Sequence, residues 1–478
     1  MAAVHSRAMT HGLPTQPASS FVRRRRALAA RLGGPALLFS GVARPCNYPA
    51  NVYPFRPDSH FLYLTGAWLE NAAILVDGER GVLYMPAEDP EDVVWHGPSP
   101  GWAEMKEATG VTEVRDIAEL GPRAGGQVSG NATATLPAVD ATTRFRQGKL
   151  LACSWAEPGA DVELSERDAA LADAMIGLRM HHDEAAVEML REAAAATVEA
   201  HRAGMAATRP GIRESEVRAA MERALMARDM GTAYGSIVTV HGEILHSRGY
   251  ENELAAGDLV LADVGASNRG WAGDVTRTWP VSGQYSPTQR TLYDIVLASQ
   301  IAAIDMVKPG VRYRDIHLAA AKIIARGLVD EGILEGDPEG LVERGAHALF
   351  FVHGLGHLIG LDVHDMEDLG DRAGYAPGRT RSQQFGLGFL RLDRDLEAGM
   401  AVTIEPGFYQ VPALLEPGSA LVKPFDDDGT LDREALAKFA DVRGIRIEDD
   451  VLVTATGHEV LTAALPKQAE AVETLVGG

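Results

Sequence analysis

The chain has 478 residues, 46% of them hydrophobic and 23% charged, with a formal net charge of −21. That length exceeds one ordinary core and predicts two domains, and the composition is that of a soluble globular protein. The negative charge repels a phosphate backbone, so no nucleic-acid partner is expected, and no apolar run reaches the about 18 residues that a membrane span needs. Cys46 and Cys153 make neither a disulfide framework nor a thiolate metal site and are expected as small buried hydrophobes. No apolar signal core with a cleavage site opens the chain, so a cytoplasmic location is expected.

In chain order, residues 1–20 are small and polar and are expected to be disordered. Arg23 to Arg26 read as the start of a solvated helix that reaches Arg31. Ala36–Gly41 reads as a buried strand and Phe61–Gly66 as a second one. Ala72–Val76 and Gly81–Met85 read as a hairpin around Asp77-Gly78. The run Val93-Val94-Trp95-His96-Gly97 reads as a strand with Trp95 partly buried. A sharper reading places Trp95 at the rim of a substrate pocket, that of a neighbouring subunit. Residues 21–172 together read as one α/β domain.

Near residue 173 the composition changes. Asp183–Met205 is an Ala- and Glu-rich helix with apolar spacing at Val187, Leu190, Ala194 and Val198, stopped by Arg209-Pro210-Gly211. A second helix is expected over 214–230, then strands over 236–240, 259–263 and 275–279. Helices follow over 287–307 and 313–332, and strands over 400–405 and 444–454. Residues 371–395 read as a polar, Arg-rich loop. Helix pairs alternating with strands, without βαβ runs, predict an α+β domain over 173–478.

The chemistry concentrates in Gly345–Asp368, which holds His347, His353, His357 and His364 in a Gly-rich frame. Histidine is the usual neutral-pH metal ligand and proton shuttle. Four acids close or interrupt apolar strands: Asp263, Asp274, Glu405 and Glu448. A single acid of this kind reads as a salt-bridged strand end. Four of them with His357 read as a two-metal hydrolytic site, because buried carboxylates need a cation. Oxygen-rich ligands with a single imidazole favour Mn²⁺, with Zn²⁺ or Co²⁺ as substitutes.

Asp274 follows Asp263 by eleven residues, and the glycines between them suit a hairpin that brings both to one face. His353 precedes His357 by four, but the glycines at 354 and 356 argue against a helical metal-binding pair, so His353 reads as substrate-facing. His364 reads as a substrate or proton-handling residue beside Asp362 and Asp365. His246 follows a short apolar strand and reads as either a shuttle or a surface histidine. His241 and His347 read as structural. Arg446, two before Glu448, is placed on the same strand face, where it orients a carboxylate or holds substrate.

Five segments in order, LADVGA, GDVTRTWP, HGLGHLIGLDVHD, TIEPG and GIRIEDD, resemble the pita-bread metallopeptidases, and among them the Xaa-Pro aminopeptidases, with proline dipeptidases as near relatives. The resemblance covers 175–466, and more weakly Asn51–Ser59 and Phe61–Gly66. It implies a pita-bread catalytic domain behind a smaller N-terminal domain. It implies five metal ligands: Asp263 on one ion, His357 and Glu405 on the other, and Asp274 and Glu448 bridging both. His246, His353, His364 and Arg446 fall on substrate-binding and proton-transfer positions, and Trp95 on an N-domain tryptophan that approaches a neighbour's site. The implied reaction is hydrolysis of the Xaa–Pro bond by a hydroxide shared between two divalent ions, on peptides with proline second, in a homodimer or homotetramer.

Three departures bear on substrate preference. Gly356 stands where many aminopeptidases P carry Ser and prolidases often carry Gly; Trp271 replaces a usual Tyr or Phe; and 371–395 is longer than in compact members. The competing readings are a Xaa-Pro dipeptidase, with phosphoester side activity, and a non-catalytic peptide-binding module, which the five filled ligand positions oppose.

Overall fold

Two of the four arginines expected to face solvent are buried, and they organise the N-terminal region. In the computed structural model, which describes residues 12–120, 133–155 and 162–477, helix α1 (Ala18–Leu32) buries Arg24 and Arg25. Arg25 donates to the carbonyls of Leu64 at 2.7 Å, Thr109 at 2.9 Å and Gly110 at 2.8 Å. Arg24 donates to Tyr63 O at 3.2 Å and to Gln16 Oε1 at 2.9 Å. Guanidinium groups have five donors, so each can satisfy several helix-end carbonyls at once. Burial lowers Arg25 to about 10, which leaves it charged at neutral pH. Residues 1–11 of the segment expected to be disordered lie outside the described residues, and Ala18–Ser20 are already helical.

Strand β1 (Ala36–Phe39) is followed by an exposed hairpin, β2 (Pro45–Tyr48) and β3 (Asn51–Val52), which leaves the free Cys46 exposed; Cys153 is half-buried. Phe61–Gly66, expected as a strand, is helix α2 (Ser59–Thr65). Asp58 caps it, accepting from His60 N at 2.8 Å and Phe61 N at 3.1 Å. All seven residues of α2 are buried, and a short run apolar on every face carries no period by which to tell helix from strand. The hairpin around Asp77-Gly78 forms as β4 (Ala73–Asp77) and β5 (Arg80–Met85). Val93–Gly97 is helix, not strand: α3 (Pro90–His96) starts at a proline behind the cap Asp89, and it leaves Trp95 79% exposed rather than partly buried.

Helix α4 (Trp102–Thr109) leads to β6 (Glu113–Asp116), which runs parallel to β5 and completes the sheet order β1-β4-β5-β6. Helices α5 (Ala141–Leu151) and α6 (Glu166–Arg179) follow. This first compact unit reaches Arg179 rather than 172, and it also takes Met366–Ala373. Within it His60 Nε2 meets Asp368 Oδ2 at 3.1 Å, and Arg372 meets Asp173 at 2.7 Å.

The second unit opens with two packed helices, α7 (Glu184–Ala207) and α8 (Glu214–Met226). The short strand β7 (Gly231–Thr232) precedes β8 (Ile237–Thr239), β9 (Leu259–Asp263), β10 (Ala266–Asn268), β11 (Trp271–Ala272) and β12 (Thr276–Pro280), which form the sheets β12-β9-β8 and β11-β10-β7. After α9 (Pro287–Asp305) and α10 (Tyr313–Asp330) come β13 (Ala401–Ile404), β14 (Gly407–Tyr409), β15 (Gly444–Arg446), β16 (Asp449–Val453) and β17 (His458–Val460). Among the described residues, no helix is long and apolar enough to cross a membrane. Residues 371–395 are not wholly loop: Asp371–Gly374 is helical, Leu387–Phe389 forms a 3-10 turn, and Tyr375 is buried with its hydroxyl on Leu390 O at 2.7 Å.

Replacing Arg25 with Met orphans two buried carbonyls and a half-buried one and is expected to cost the N-terminal unit about 3 kcal/mol. A clear drop in its thermal midpoint, with metal binding by the protein unchanged, is the expected result. An unchanged midpoint contradicts the role given to the guanidinium.

Candidate metal centre

The acids arrive at one place because strands end there. β9 and β12 pair antiparallel with Asp263 opposite Thr276, and Asp274 sits just before β12. The excursion β10–β11 between them reverses at Arg269-Gly270. Glu405 directly follows β13, and Glu448 lies in the gap between β15 and β16. The His-rich stretch runs beside β13: Leu358 bridges Val402, Thr403 N donates to His357 O at 3.0 Å, and Glu405 N to Leu355 O at 2.8 Å. That ladder lays His357 next to Glu405.

Asp274, His357 and Glu448 bring one ligand atom each within 4.8 Å of one another, all three residues buried. His357 Nε2 stands 3.4 Å from Asp274 Oδ2 and 3.6 Å from Glu405 Oε1. Its Nδ1 donates to Leu358 O at 3.0 Å, which leaves the Nε2 lone pair aimed at the carboxylates. His364 packs edge-on to this ring, centroids 4.2 Å apart.

Arg446 is buried against the cluster. Its guanidinium meets Asp263 Oδ2 at 2.7 Å, Thr276 Oγ1 at 3.0 Å and the Tyr409 hydroxyl at 3.0 Å. The carboxylate that it orients is therefore Asp263. Its link to Glu448 is indirect, through Thr276, whose hydroxyl donates to Glu448 Oε2 at 2.5 Å. The Tyr409 hydroxyl, accepting from Arg446, donates to His353 Nε2 at 2.8 Å, and His353 Nδ1 donates to Gly354 O at 2.7 Å. Both nitrogens of His353 are thus engaged, and burial, with Arg446 adding to it, lowers the ring to about 3, so it is a neutral imidazole.

His246 lies in a turn rather than after a strand, exposed, with Arg446, Asp263, Arg391 and His364 among the charges that act on it. Its pKa is lowered, by partial desolvation first and Arg446 next. His347 is buried, and His241 pairs with Glu243 at 3.0 Å. Trp95 belongs to the other unit, on exposed α3.

Three participants escaped the sequence reading. Tyr234 places one hydroxyl 2.5 Å from Asp263 Oδ1 and 2.6 Å from Asp274 Oδ1. One phenolic proton cannot serve two carboxylates, so the arrangement calls for a further proton or a cation. Tyr234 carries no pattern signal in its Gly-rich turn. Thr276 was legible, since it stands two after Asp274 on the same face. Tyr409 was not, because its partners, His353 and Arg446, lie far off in the chain.

Burial is the dominant electrostatic fact, with charge crowding added to it. Burial, with Asp263 adding to it, raises Asp274 to about 8. Burial raises Glu405 to about 7 against the pull of His357 and Arg446. Glu448 is raised well above the carboxylate range by burial and then by Asp274, Glu405 and Asp263. Four clustered acids with one fixed cation, held by oxygen and one nitrogen donor, fit a divalent metal site.

Comparison with known proteins decides the family. A model of metallopeptidase family M24 matches residues 188–455, and one of the aminopeptidase P N-terminal domain matches residues 21–137. The chain belongs to metallopeptidase family M24. The Xaa-Pro aminopeptidase of Escherichia coli is 31% identical over 476 residues, covering 95% of this chain and 97% of the relative. The structure of aminopeptidase PepP from Pseudomonas aeruginosa is 30% identical with a TM-score of 0.77, covering 96% of this chain and 98% of that one. A zinc-substituted E. coli aminopeptidase P in complex with product is 29% identical with a TM-score of 0.76 over the same shares. The M24 fold with its preceding aminopeptidase P-type domain is the α+β arrangement expected, and the chain carries the buried Asp/His/Glu group of a metallopeptidase.

In the M24 unit the raised acids bind protons more tightly folded than unfolded. Their stabilising effect is therefore complete below the ordinary carboxylate pKa and is lost as pH rises through about 7 to 8. With chelator present, the thermal midpoint is expected to fall between about pH 5 and about pH 8, and added divalent metal is expected to raise it most at the upper end. A flat chelated profile, equal to the metal-loaded one, contradicts the site.

Proposed function

We propose that the chain is a Xaa-Pro aminopeptidase, a metal-dependent exopeptidase that releases the N-terminal residue from peptides with proline second. The observation that carries this is the buried cluster of Asp274, His357 and Glu448, with Asp263 and Glu405 beside it, in a chain similar to aminopeptidases P over nearly its whole length. In this proposal Asp263, Asp274, His357, Glu405 and Glu448 would hold the two ions. Mn²⁺ is the ion favoured by the oxygen-rich donor set, with Zn²⁺ or Co²⁺ as substitutes. Such ions, when bound, lower the pKa of a water and polarise the scissile carbonyl.

The chain's own residues supply placement and selectivity. Arg446 holds Asp263 and, through Thr276, Glu448. Tyr409 fixes the His353 ring in one tautomer. His246, His353 and His364 form the substrate side, His353 as a fixed neutral wall and His246 and His364 as the proton-handling pair. Proline has no N–H and a rigid φ, so recognition rests on ring shape rather than on a donor. Trp95, exposed on the N-terminal unit, is assigned to the site of a neighbouring subunit in a cytoplasmic homodimer or homotetramer.

Gly356 favours a second reading, a Xaa-Pro dipeptidase. Its φ is +156°, and a Cβ there would stand 2.3 Å from Thr403 O, so the Ser found in many aminopeptidases P has no room at this position. Product analysis on a Xaa-Pro-Yaa series with each metal separates the two. Release of Xaa from the tripeptides supports the aminopeptidase, and activity confined to Xaa-Pro dipeptides replaces it with the dipeptidase.

Asp274→Ala and Glu448→Ala are each expected to lower turnover by about two orders of magnitude or more. The far-UV spectrum should stay close to the parent's. Near-parental turnover with parental metal content refutes the ligand assignment.

A further inference from the structure

The loop that carries His246 is built against the strand that carries Arg446. Gly242 and Gly444 touch backbone to backbone: a Cβ on Gly444 would lie 2.3 Å from the Gly242 carbonyl, and one on Gly242 would lie 2.8 Å from Gly444 O. Gly444 opens β15, two residues before Arg446, and pairs with Tyr409 across the β14–β15 ladder. The loop is pinned on either side of this contact. His241 N donates to Thr239 Oγ1 at 2.9 Å, and Ile244 N to His241 O at 2.9 Å. Leu245 packs onto Ile237, Leu261, Val352 and Tyr409.

Glu243 closes the seat. Its Oε1 accepts from Arg443 at 3.0 Å and faces His241 Nδ1 at 3.0 Å, with Arg443 also 2.5 Å from that nitrogen. The Glu243 side chain is only 10% exposed, and its Oε2 is buried with no partner among the described residues. A half-satisfied buried carboxylate is a poor stabiliser compared with an apolar residue of its size. What it does is tie the loop to residue 443, next to the glycine contact and three residues from Arg446.

We infer that Gly444 and Glu243 are positioning residues for His246, seating loop 240–250 on β15 so that the histidine and Arg446 keep a set spacing on the substrate side. This rests on the hydrolysis proposed above and adds to it: one strand end registers both the cation that holds Asp263 and the histidine at the rim. None of the five proposed metal ligands lies in loop 240–250, so loss of its seat is expected to appear in substrate turnover with metal content intact.

The test is a double-mutant cycle on a Xaa-Pro-Yaa peptide, with bound metal measured on every variant. Glu243→Ala is expected to lower kcat/KM about fivefold or more at parental metal content and thermal midpoint. Glu243→Gln, which keeps an acceptor for Arg443, is expected to recover most of the loss. In a His246→Ala background, Glu243→Ala is expected to add nothing. Gly444→Ala should show the same pattern, and the Glu243 variants decide the matter if it fails to fold. Parental kcat/KM in Glu243→Ala, or losses that multiply with those of His246→Ala, overturns the positioning role. No cleavage by the parent protein in the same assay overturns the proposed activity instead.

Discussion

Four carboxylates facing one another, Asp263, Asp274 and Glu448 buried and Glu405 half-buried, are the constraint around which the second unit is arranged. Like charges in a poorly solvated place cannot all ionise, and burial first, with the neighbouring acids adding to it, raises Asp274, Glu405 and Glu448. A folded chain tolerates it only where cations or protons are supplied. Arg446 supplies one fixed charge and spends it on Asp263. Tyr234 shares its one hydroxyl proton between Asp263 and Asp274, and Thr276 donates to Glu448. Behind the cluster, Arg277 and Lys467 neutralise Asp449, which also accepts from Gln300 and Thr462, so the acid next to Glu448 is fully served and lies low, at about 2. Two adjacent acids in one sequence motif thus have opposite fates, decided by what surrounds them.

The same logic separates the histidines. His357 has its Nδ1 tied to a backbone carbonyl and its Nε2 turned to acids, the arrangement of a ligand. His353 has both nitrogens tied, which makes it a fixed neutral wall. His364 stacks edge-on against His357, and His246 stands at the rim on a loop with its own seat. Two of these roles follow from the partners of the ring nitrogens, that of His364 from its packing on His357, and that of His246 from its place at the surface.

In the N-terminal unit the main errors of sequence reading have one cause. Arg24 and Arg25 look like surface charge until the helix-end carbonyls of α2 and α4 that they serve are placed beside them. Phe61–Gly66 is apolar on every face, so its periodicity is silent, and only the Asp58 cap marks a helix. Trp95 sits in a run with strand propensity that a proline start and an Asp cap turn into a helix. In each case a local hydrogen bond or a distant carbonyl outweighed the intrinsic preference of the residues.

Sequence alone singled out Asp274, His357 and Glu448, which the fold brings together, because metal binding demands particular donor atoms and few residue types carry them. It determined the β4–β5 hairpin and the long helices, where period and turn chemistry agree. Tertiary structure alone decided that Arg446 serves Asp263, that Tyr234 bridges two acids and that Tyr409 locks His353, since these partners lie many residues apart and obey no spacing rule. It also decided that Gly356, Gly242 and Gly444 admit no side chain, because the atoms that would collide come from other strands and loops. Residue identity sets which chemistry is possible; the close approach of remote backbone sets which partner each residue meets.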